Sequence, residues 1–151
     1  MQKITPFLWF DDNLDEALDL YLSIFKQAKV TYRQQGPDGK TFTAAFQLEG
    51  QAFMGLNGGP HYRFTPAISF FVGCKDQAEV DYYWDRLLEG GKPQQCGWLT
   101  DRFGVSWQII PNALMDLMSD PDRAKAGRVQ AAMMQMVKLD VAGLEKAAAG
   151  G

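Results

Sequence analysis

The chain contains two copies of one structural pattern, and this internal duplication restricts its possible folds more than any other feature. The first copy opens with the apolar run at residues 4–10, which predicts a buried strand, and Asp11, Asp12 and Asn13 can cap a following helix. The next apolar residues recur at the spacing of one helical face: Leu14, Ala17, Leu18, Tyr21, Leu22 and Phe25. The first copy therefore predicts a strand followed by an amphipathic helix.

Three further strands are predicted in the first copy, at residues 30–34, 41–48 and 51–56, with a hairpin turn at 36–40. The same order begins again with the apolar run at 67–72. Asp76, with Glu79 three residues later, has the pattern of a capping box, and Gly90 and Gly91 can end the second helix. Short strands are predicted at 94–96, 98–100 and 105–110, with a turn at 101–104.

The two copies also align along their length, with residues 50–56 matching 104–110. We therefore predict an α+β fold of tandem βαβββ modules, at about 3–57 and 67–111, paired into one domain over residues 1–111. Residues 112–151 are predicted to be a helical C-terminal extension of the same domain. Ser119 or Asp120 can cap a helix with Pro121 in its first turn, and Asp140 can cap a last short helix.

Charge and hydrophobicity exclude several classes of function. A chain of 151 residues can bury one substantial core, and its net charge of −3 gives no electrostatic basis for binding nucleic acid. No apolar run approaches the roughly 20 residues that cross a bilayer, and the N-terminal residues lack the features of a signal peptide. We expect a cytoplasmic protein that binds neither nucleic acid nor membranes. Cys74 and Cys96 form no C-x-x-C pair and are expected to be buried, reduced thiols.

The tandem modules, together with the run CGWLTDRFGVSWQIIP at residues 96–111, resemble the PhnB-like branch of the vicinal oxygen chelate superfamily. That superfamily includes glyoxalase I, bleomycin-resistance proteins and extradiol dioxygenases, and the resemblance extends to residues 131–140. It implies curved sheets that enclose a cleft, helices on the outer side, and a homodimer. Enzymes of the superfamily hold a divalent metal in the cleft through His, Gln or Glu, and the metal binds adjacent oxygens of the substrate.

The resemblance also implies where metal ligands would stand, at one position on the first strand and one on the last strand of each module. Alignment places these positions at Thr5, Ala67, Met54 and Gln108. Gln108 offers a plausible ligand atom and Thr5 a weak one, whereas an alanine and a thioether offer nothing to a hard cation. We therefore predict no bound metal and no other cofactor. The single histidine, His61, lies in a glycine-rich linker and is expected at the surface.

Strand alternation predicts which side chains face the cleft. The residues predicted to face inward are Thr5, Phe7, Trp9, Met54, Leu56, Ala67, Ser69, Phe71, Ser106, Gln108 and Ile110. The predicted ligand-binding residues are Thr5, Phe7, Trp9, Met54, Ser69, Trp98 and Gln108. This apolar lining with few polar points suits a flat, partly aromatic ligand. The alternative is a collapsed interior that holds no ligand. Trp98 is expected near the cleft mouth and Trp107 under the helices.

Several functions are compatible with these features, and the one predicted is metal-free binding of a small, partly aromatic organic molecule. The alternatives are a metal-dependent lyase, isomerase or dioxygenase of the same superfamily, and a structural role with a filled cleft. PhnB-like sequences also carry the label 3-demethylubiquinone 3-methyltransferase, but the glycine-rich stretch at 55–60 links two modules and does not open a helix at a cofactor site. No catalytic residue is assigned, because Cys96 has no histidine nearby in sequence and Asp101 and Arg102 fit a hairpin turn.

Overall fold

The computed structural model describes residues 2–150, which form two units, one ending at Phe64 and the other beginning at Thr65. Each unit contains a four-stranded mixed sheet and a helix that packs against it, and three more helices follow in the second unit. The predicted α+β fold of tandem βαβββ modules with a helical C-terminal extension is confirmed. The pairing of the modules into one domain stays a prediction.

The first unit contains β1 (Phe7–Phe10), α1 (Leu14–Ile24), β2 (Lys29–Gln35), β3 (Thr41–Leu48) and β4 (Gln51–Asn57). Its strand order is β1-β4-β3-β2, and β1 and β4 are parallel while the other neighbours are antiparallel. In β1, Leu8 and Phe10 are buried while Phe7 and Trp9 are more exposed, as the alternation predicted. The buried strand residues include Leu8, Phe10, Ala44, Phe46, Leu48 and Phe53.

The start of α1 is held by Asn57, the last residue of β4. The amide oxygen of Asn57 accepts a hydrogen bond from the backbone N–H of Leu14 at 2.9 Å, and its Nδ2 donates to the carbonyl oxygen of Thr41 at 2.8 Å. Asn13 stands at the N-cap position as predicted, but its side chain makes no capping hydrogen bond, and it is Asn57 that accepts from the helix. One side chain thus ties the helix to both β3 and the end of β4.

The second unit contains β5 (Phe70–Cys74), α2 (Gln77–Leu88), β6 (Lys92–Pro93), β7 (Trp98–Thr100) and β8 (Ser106–Pro111), with strand order β5-β8-β7-β6. The predicted strand at 67–72 was placed too early, because residues 66–68 form a turn and a bend. The predicted strand at 94–96 was also misplaced, since the pairing with β7 occurs at Lys92 and Pro93. The capping box is confirmed, with Asp76 accepting from the N–H of Glu79 at 2.9 Å.

The tail, residues 112–150, contains α3 (Asn112–Met118), α4 (Arg123–Met133) and α5 (Val141–Ala148). The predicted caps of α4 were wrong, since Asp122 accepts hydrogen bonds from the first backbone N–H groups of that helix. Asp140 stands at the N-cap of α5 as predicted, yet the N–H of Val141 donates to Gln77 of α2 at 2.7 Å. The tail packs into the second unit around a buried cluster: Ile110, Leu114, Val129, Leu139, Leu144 and Ala148.

Candidate functional site

The face of the first sheet opposite α1 carries most of the residues predicted to bind a ligand in that unit. Phe7 pairs with Met54, and Trp9 pairs with Leu56, so these four side chains lie side by side on one face. Phe7 is 48% exposed, and the other three are half-buried. The face is therefore an accessible apolar surface that includes the aromatic rings of Phe7 and Trp9 from β1.

Thr5 lies just before β1 and not in the strand that was predicted to hold it, because regular pairing begins at Phe7. Its hydroxyl donates to the carbonyl oxygen of Gln2 at 3.2 Å. The structure thus places Thr5 next to the apolar face with its hydroxyl proton already engaged.

Trp9 is held by the linker that follows β4, which sequence reasoning missed. Its indole N–H donates to the carbonyl oxygen of Gly59 at 2.9 Å, and the ring of Tyr62 meets it edge-on at 4.9 Å. A Cβ atom at Gly58 would stand 2.3 Å from the indole ring, so only glycine lets the linker pass this closely. The adjacent glycines were the available signal. His61, in the same linker, is exposed as expected.

In the second unit, three predicted ligand-binding residues come together on the sheet face opposite α2. The Nε2 of Gln108 donates to the hydroxyl of Ser69 at 2.9 Å. Trp98 pairs directly with Gln108 across the β7–β8 ladder, and Phe71 pairs with it from β5. Phe71 is 51% exposed, and the other three are half-buried. A polar pair thus lies between two aromatic side chains on an accessible face.

The strand pairing corrects the alignment of the two modules. Phe7 pairs with Met54 and Phe71 pairs with Gln108, so Phe71 is the equivalent of Phe7. Counting back, the residue equivalent to Thr5 is Ser69. The sequence alignment had placed Ala67 there, an error of two residues, because an apolar run does not show where strand pairing starts.

Two residues predicted to face the cleft in the second unit are buried. Ile110 alternates with Gln108 onto the same face but is packed among the side chains of the tail, with 4% of its surface exposed. Ser106 is 2% exposed, and residues 2–150 supply no hydrogen-bond partner for its hydroxyl. The accessible part of this face is therefore limited to the neighbourhood of Gln108.

Asp101 organises the turn between β7 and β8, as the turn interpretation expected. Its buried carboxylate accepts hydrogen bonds from the backbone N–H groups of Phe103 at 2.9 Å and Val105 at 3.0 Å. It also accepts from the indole N–H of Trp107 at 2.9 Å. Trp107 is itself buried on the α2 side of the sheet, where it was predicted. Asp101 therefore has a structural role that explains it fully.

The two cysteines differ in their surroundings. Cys74 is fully buried, and this burial, together with the nearby carboxylates of Glu79 and Asp76, raises the pKa of its thiol to about 12. Such a thiol is neutral and unreactive near pH 7. Cys96 was wrongly predicted to be buried, since it is half-buried with its sulfur 3.9 Å from that of Met134.

The side chains at the four positions implied for metal ligands do not suit a divalent cation. With the corrected alignment these are Thr5 and Met54 in the first unit and Ser69 and Gln108 in the second. They offer two hydroxyls, a thioether and an amide, whereas hard cations favour carboxylates and zinc favours imidazole or thiolate. Among residues 2–150, no three His, Cys, Asp or Glu side chains cluster to hold an ion. That the protein binds no metal stays a prediction.

No helix within residues 2–150 is long and apolar enough to span a membrane. The cytoplasmic location stays a prediction.

Comparison with known proteins identifies relatives. The family model described as 3-demethylubiquinone-9 3-methyltransferase matches residues 2–110. The PhnB protein of Bacillus cereus is 32% identical, with 73% of this chain and 99% of that chain covered and a TM-score of 0.69. The description of its structure carries the same methyltransferase name. A search of curated proteins found no match.

More distant solved structures share the fold. A Pseudomonas aeruginosa protein is 21% identical over 74% of this chain and 98% of its own, with a TM-score of 0.62. The fosfomycin resistance protein FosX of Listeria monocytogenes, solved with Mn(II) and sulfate, is 16% identical over 71% of this chain and 89% of its own, with a TM-score of 0.52. The family model ends at Ile110, so it does not reach the resemblance noted at residues 131–140. The chain belongs to the 3-demethylubiquinone-9 3-methyltransferase family, the PhnB-like branch of the vicinal oxygen chelate superfamily.

Proposed function

We propose that the protein binds a small, partly aromatic organic molecule without a bound metal, and that Ser69, Trp98 and Gln108 make the decisive contacts. The observation that carries this proposal is the hydrogen bond between Gln108 and Ser69, on an accessible face between Trp98 and Phe71. Polar groups set among aromatic surfaces are typical of sites that recognise flat organic molecules.

The chemistry of the pair favours a ligand that carries a hydroxyl or carbonyl oxygen. A glutamine amide has two donor hydrogens and one acceptor oxygen, so Gln108 can bond to Ser69 and to a ligand at the same time. The flat ring of such a ligand would stack against Trp98 or Phe71, where aromatic contacts add about 0.5–1.5 kcal/mol beyond the buried area. Recognition would thus combine one or two hydrogen bonds with ring stacking.

In the first unit, the predicted ligand-binding residues offer mainly apolar contacts. Phe7, Trp9 and Met54 present rings and a thioether, and the indole N–H of Trp9 is already bonded to Gly59. Thr5 would add a hydroxyl at the end of this surface. The cleft between modules that the family resemblance implied stays a prediction.

The methyltransferase activity in the family's description is not proposed for this chain. Methyl transfer needs a methyl donor, and the glycine-rich stretch at 55–60 forms the end of β4 and the linker that packs on Trp9, with no helix opening from it. A metal-dependent lyase, isomerase or dioxygenase would need ligands that the four equivalent positions lack.

Thermal unfolding tests the proposal against a panel of phenols, benzoates, naphthols and quinones, with metal content measured in the same preparations. We expect at least one compound to raise the unfolding temperature of the wild type and to do so less in Trp98→Ala and Gln108→Ala. Lys40→Ala, in the exposed turn between β2 and β3, is the control and should respond as the wild type does. Near-stoichiometric metal that is lost in Gln108→Ala would overturn the metal-free proposal in favour of a metal-dependent enzyme.

We also infer that the protein is a homodimer. Each unit exposes an apolar patch beside its edge strand, centred on an isoleucine that the proposed ligand contacts do not include: Ile4 before β1 and Ile68 before β5, with 86% and 74% of their surfaces exposed. A second copy carries the same two patches and can cover both by twofold symmetry. Light scattering after gel filtration should give twice the chain mass, and Ile4→Glu should lower it. A monomeric wild type would refute the inference.

A further inference from the structure

We propose that the segment Met136–Val141, which we call the strap, is a positioning element for the ligand-binding face of the second unit, acting through Trp98. The inference rests on the proposed function. The strap belongs to the tail, which lies beyond Ile110, the last residue that the family model matches.

The strap is hydrogen-bonded to the two residues that precede Trp98. The N–H of Cys96 donates to the carbonyl oxygen of Met136, and the N–H of Gly97 donates to that of Val137, both at 2.8 Å. On its other side, Gly97 accepts from the N–H of Ile109 at 2.8 Å. The backbone leading into Trp98 is thus held between β8 and the strap.

The backbone at this point adopts a conformation that needs such support. Cys96 and Gly97 both have positive φ angles, 62° and 83°, and this left-handed region is unfavourable for a residue with a side chain such as Cys96. A Cβ at Gly97 would lie 2.9 Å from the carbonyl oxygen of Ile109 and 3.0 Å from Leu139. Two successive left-handed residues redirect the chain into β7 and so determine the position of Trp98, the first residue of that strand.

The strap is itself anchored to the N-terminal part of α2. The side chain of Gln77 donates to the carbonyl oxygen of Leu139 at 3.1 Å and accepts from the N–H of Val141 at 2.7 Å. Lys138 forms an ion pair with Asp81 at 2.9 Å, and Asp81 also accepts from Gln77 at 3.0 Å. Gln77 therefore holds the strap at two points, Leu139 and Val141.

The strap also closes one end of the ligand-binding face. Leu139 is fully buried in the cluster that covers Ile110, the residue two positions beyond Gln108 on the same face. A ligand held by Gln108 therefore cannot extend over Ile110 and must lie toward Phe71 and Trp98. The strap would limit the length of the ligand as well as position Trp98.

The test compares Gln77→Ala with Gln130→Ala, a control on the exposed surface of α4 in the same tail. Hydrogen exchange is measured by mass spectrometry for peptides spanning residues 94–99. The affinity for 4-nitrophenol, a flat phenol whose absorption quenches tryptophan emission, is measured for each variant. We expect exchange at Cys96 and Gly97 to be at least about tenfold faster in Gln77→Ala, and 4-nitrophenol to bind about three- to tenfold more weakly, with Gln130→Ala unchanged.

A double-mutant cycle separates positioning from general loosening. If the strap acts through Trp98, adding Gln77→Ala to Trp98→Ala should cause little further loss of 4-nitrophenol affinity. Asp81→Asn, which weakens the same anchor at an exposed pair, serves as the milder variant should Gln77→Ala fold poorly.

The outcomes distinguish this inference from the proposed function. Wild type that fails to bind 4-nitrophenol at millimolar concentration contradicts the proposed function for phenols, and the inference with it. Binding that depends on Trp98 and Gln108 but is unaffected by the strap variants, despite faster exchange, overturns the inference alone. Unchanged exchange at residues 96 and 97 in both strap variants would also overturn it.

Discussion

The two units share one sheet order, yet the faces opposite their helices differ in what covers them. Leu56 and Ile110 occupy equivalent positions, since the strand pairing relates Met54 to Gln108. Leu56 is half-buried in the first unit, whereas Ile110 is packed under the tail in the second. The comparison shows how a duplicated module can gain a distinct surface when a segment is added to one copy, without any change in strand topology.

The same comparison applies to polar character. The first unit has the thioether of Met54 where the second has the amide of Gln108 bonded to Ser69. The hydroxyl of Thr5, the equivalent of Ser69, instead donates to the backbone of Gln2. The proposed function therefore expects directional recognition from the second unit and apolar contact from the first.

Alanine substitution at the equivalent positions 110 and 56 should produce the largest difference between the units. Ile110→Ala leaves a cavity inside the tail cluster and should lower the free energy of unfolding by about 2–5 kcal/mol. Leu56→Ala removes a half-buried side chain that lies beside the linker at Gly58 but under no helix of the tail, and it should cost roughly 1 kcal/mol. Urea unfolding followed by circular dichroism measures both. Equal losses would mean that the tail does not cover its unit's face as described.

Two single variants, each giving one position the residue type of the other, test whether polar recognition belongs to the second unit. Gln108→Met removes the amide and leaves Ser69 without this donor, so 4-nitrophenol affinity should fall about tenfold, or about 1.4 kcal/mol. Met54→Gln changes a residue of the same size in the first unit and should alter the affinity less than about twofold. A larger effect of Met54→Gln than of Gln108→Met would reverse the assignment.

The smallest expected effect is on the pH dependence of stability, through the ion pair of Lys138 and Asp81 that joins the tail to α2. The ion pair of Arg33 and Asp15 is its counterpart in the first unit. The hydrogen bond from Gln77, followed by the bond and charge of Lys138, holds the pKa of Asp81 below its ordinary value. Because the folded pKa is lowered, this stabilisation is present above about pH 4 and is lost as the pH falls through the folded pKa. The pair is exposed and screened by solvent, so Asp81→Asn should cost at most about 1 kcal/mol at pH 7.

Urea unfolding of wild type and Asp81→Asn between pH 7 and pH 3 checks this expectation, and the difference between them should shrink below pH 4. Asp15 in the first unit is the comparison: burial opposes ionisation there, yet hydrogen bonds from Thr41 and the charge of Arg33 lower its pKa overall. Asp15→Asn should show the same pH dependence without affecting exchange at residues 96 and 97. A difference for Asp81→Asn that grows in acid would contradict the assigned ion pair.

Much of the fold could be predicted because the signals are local. Helical spacing predicted α1 and α2, the Asp76 capping box predicted the start of α2, and alternation predicted that Leu8 and Phe10 are buried while Phe7 and Trp9 lie on the other face. Each signal depends on residues within a few positions of one another. Alternation also placed Ser69 and Gln108 on one face, where a hydrogen bond joins them, whereas Trp98 was expected only near the cleft mouth.

Local signals did not predict where β5 and β6 begin. They also did not show that Ser69 is the equivalent of Thr5. Apolar residues at 67 and 68 are suited to a strand, but pairing with β8 begins at Phe70. The caps from Asn57 and Gln77 reach across 43 and 64 positions of the chain. Pairing partners and long-range caps depend on residues that meet when the chain folds.

The sequence by itself determined the duplicated module and its alternating faces, because periodicity and local capping specify elements one at a time, and the run at residues 96–111 carried the resemblance to the family. The tertiary structure decided that the linker holds Trp9, that the tail buries Ile110, and that the strap supports the backbone before Trp98. Those outcomes arise from packing and hydrogen bonds between distant segments, and local patterns do not specify which segments meet.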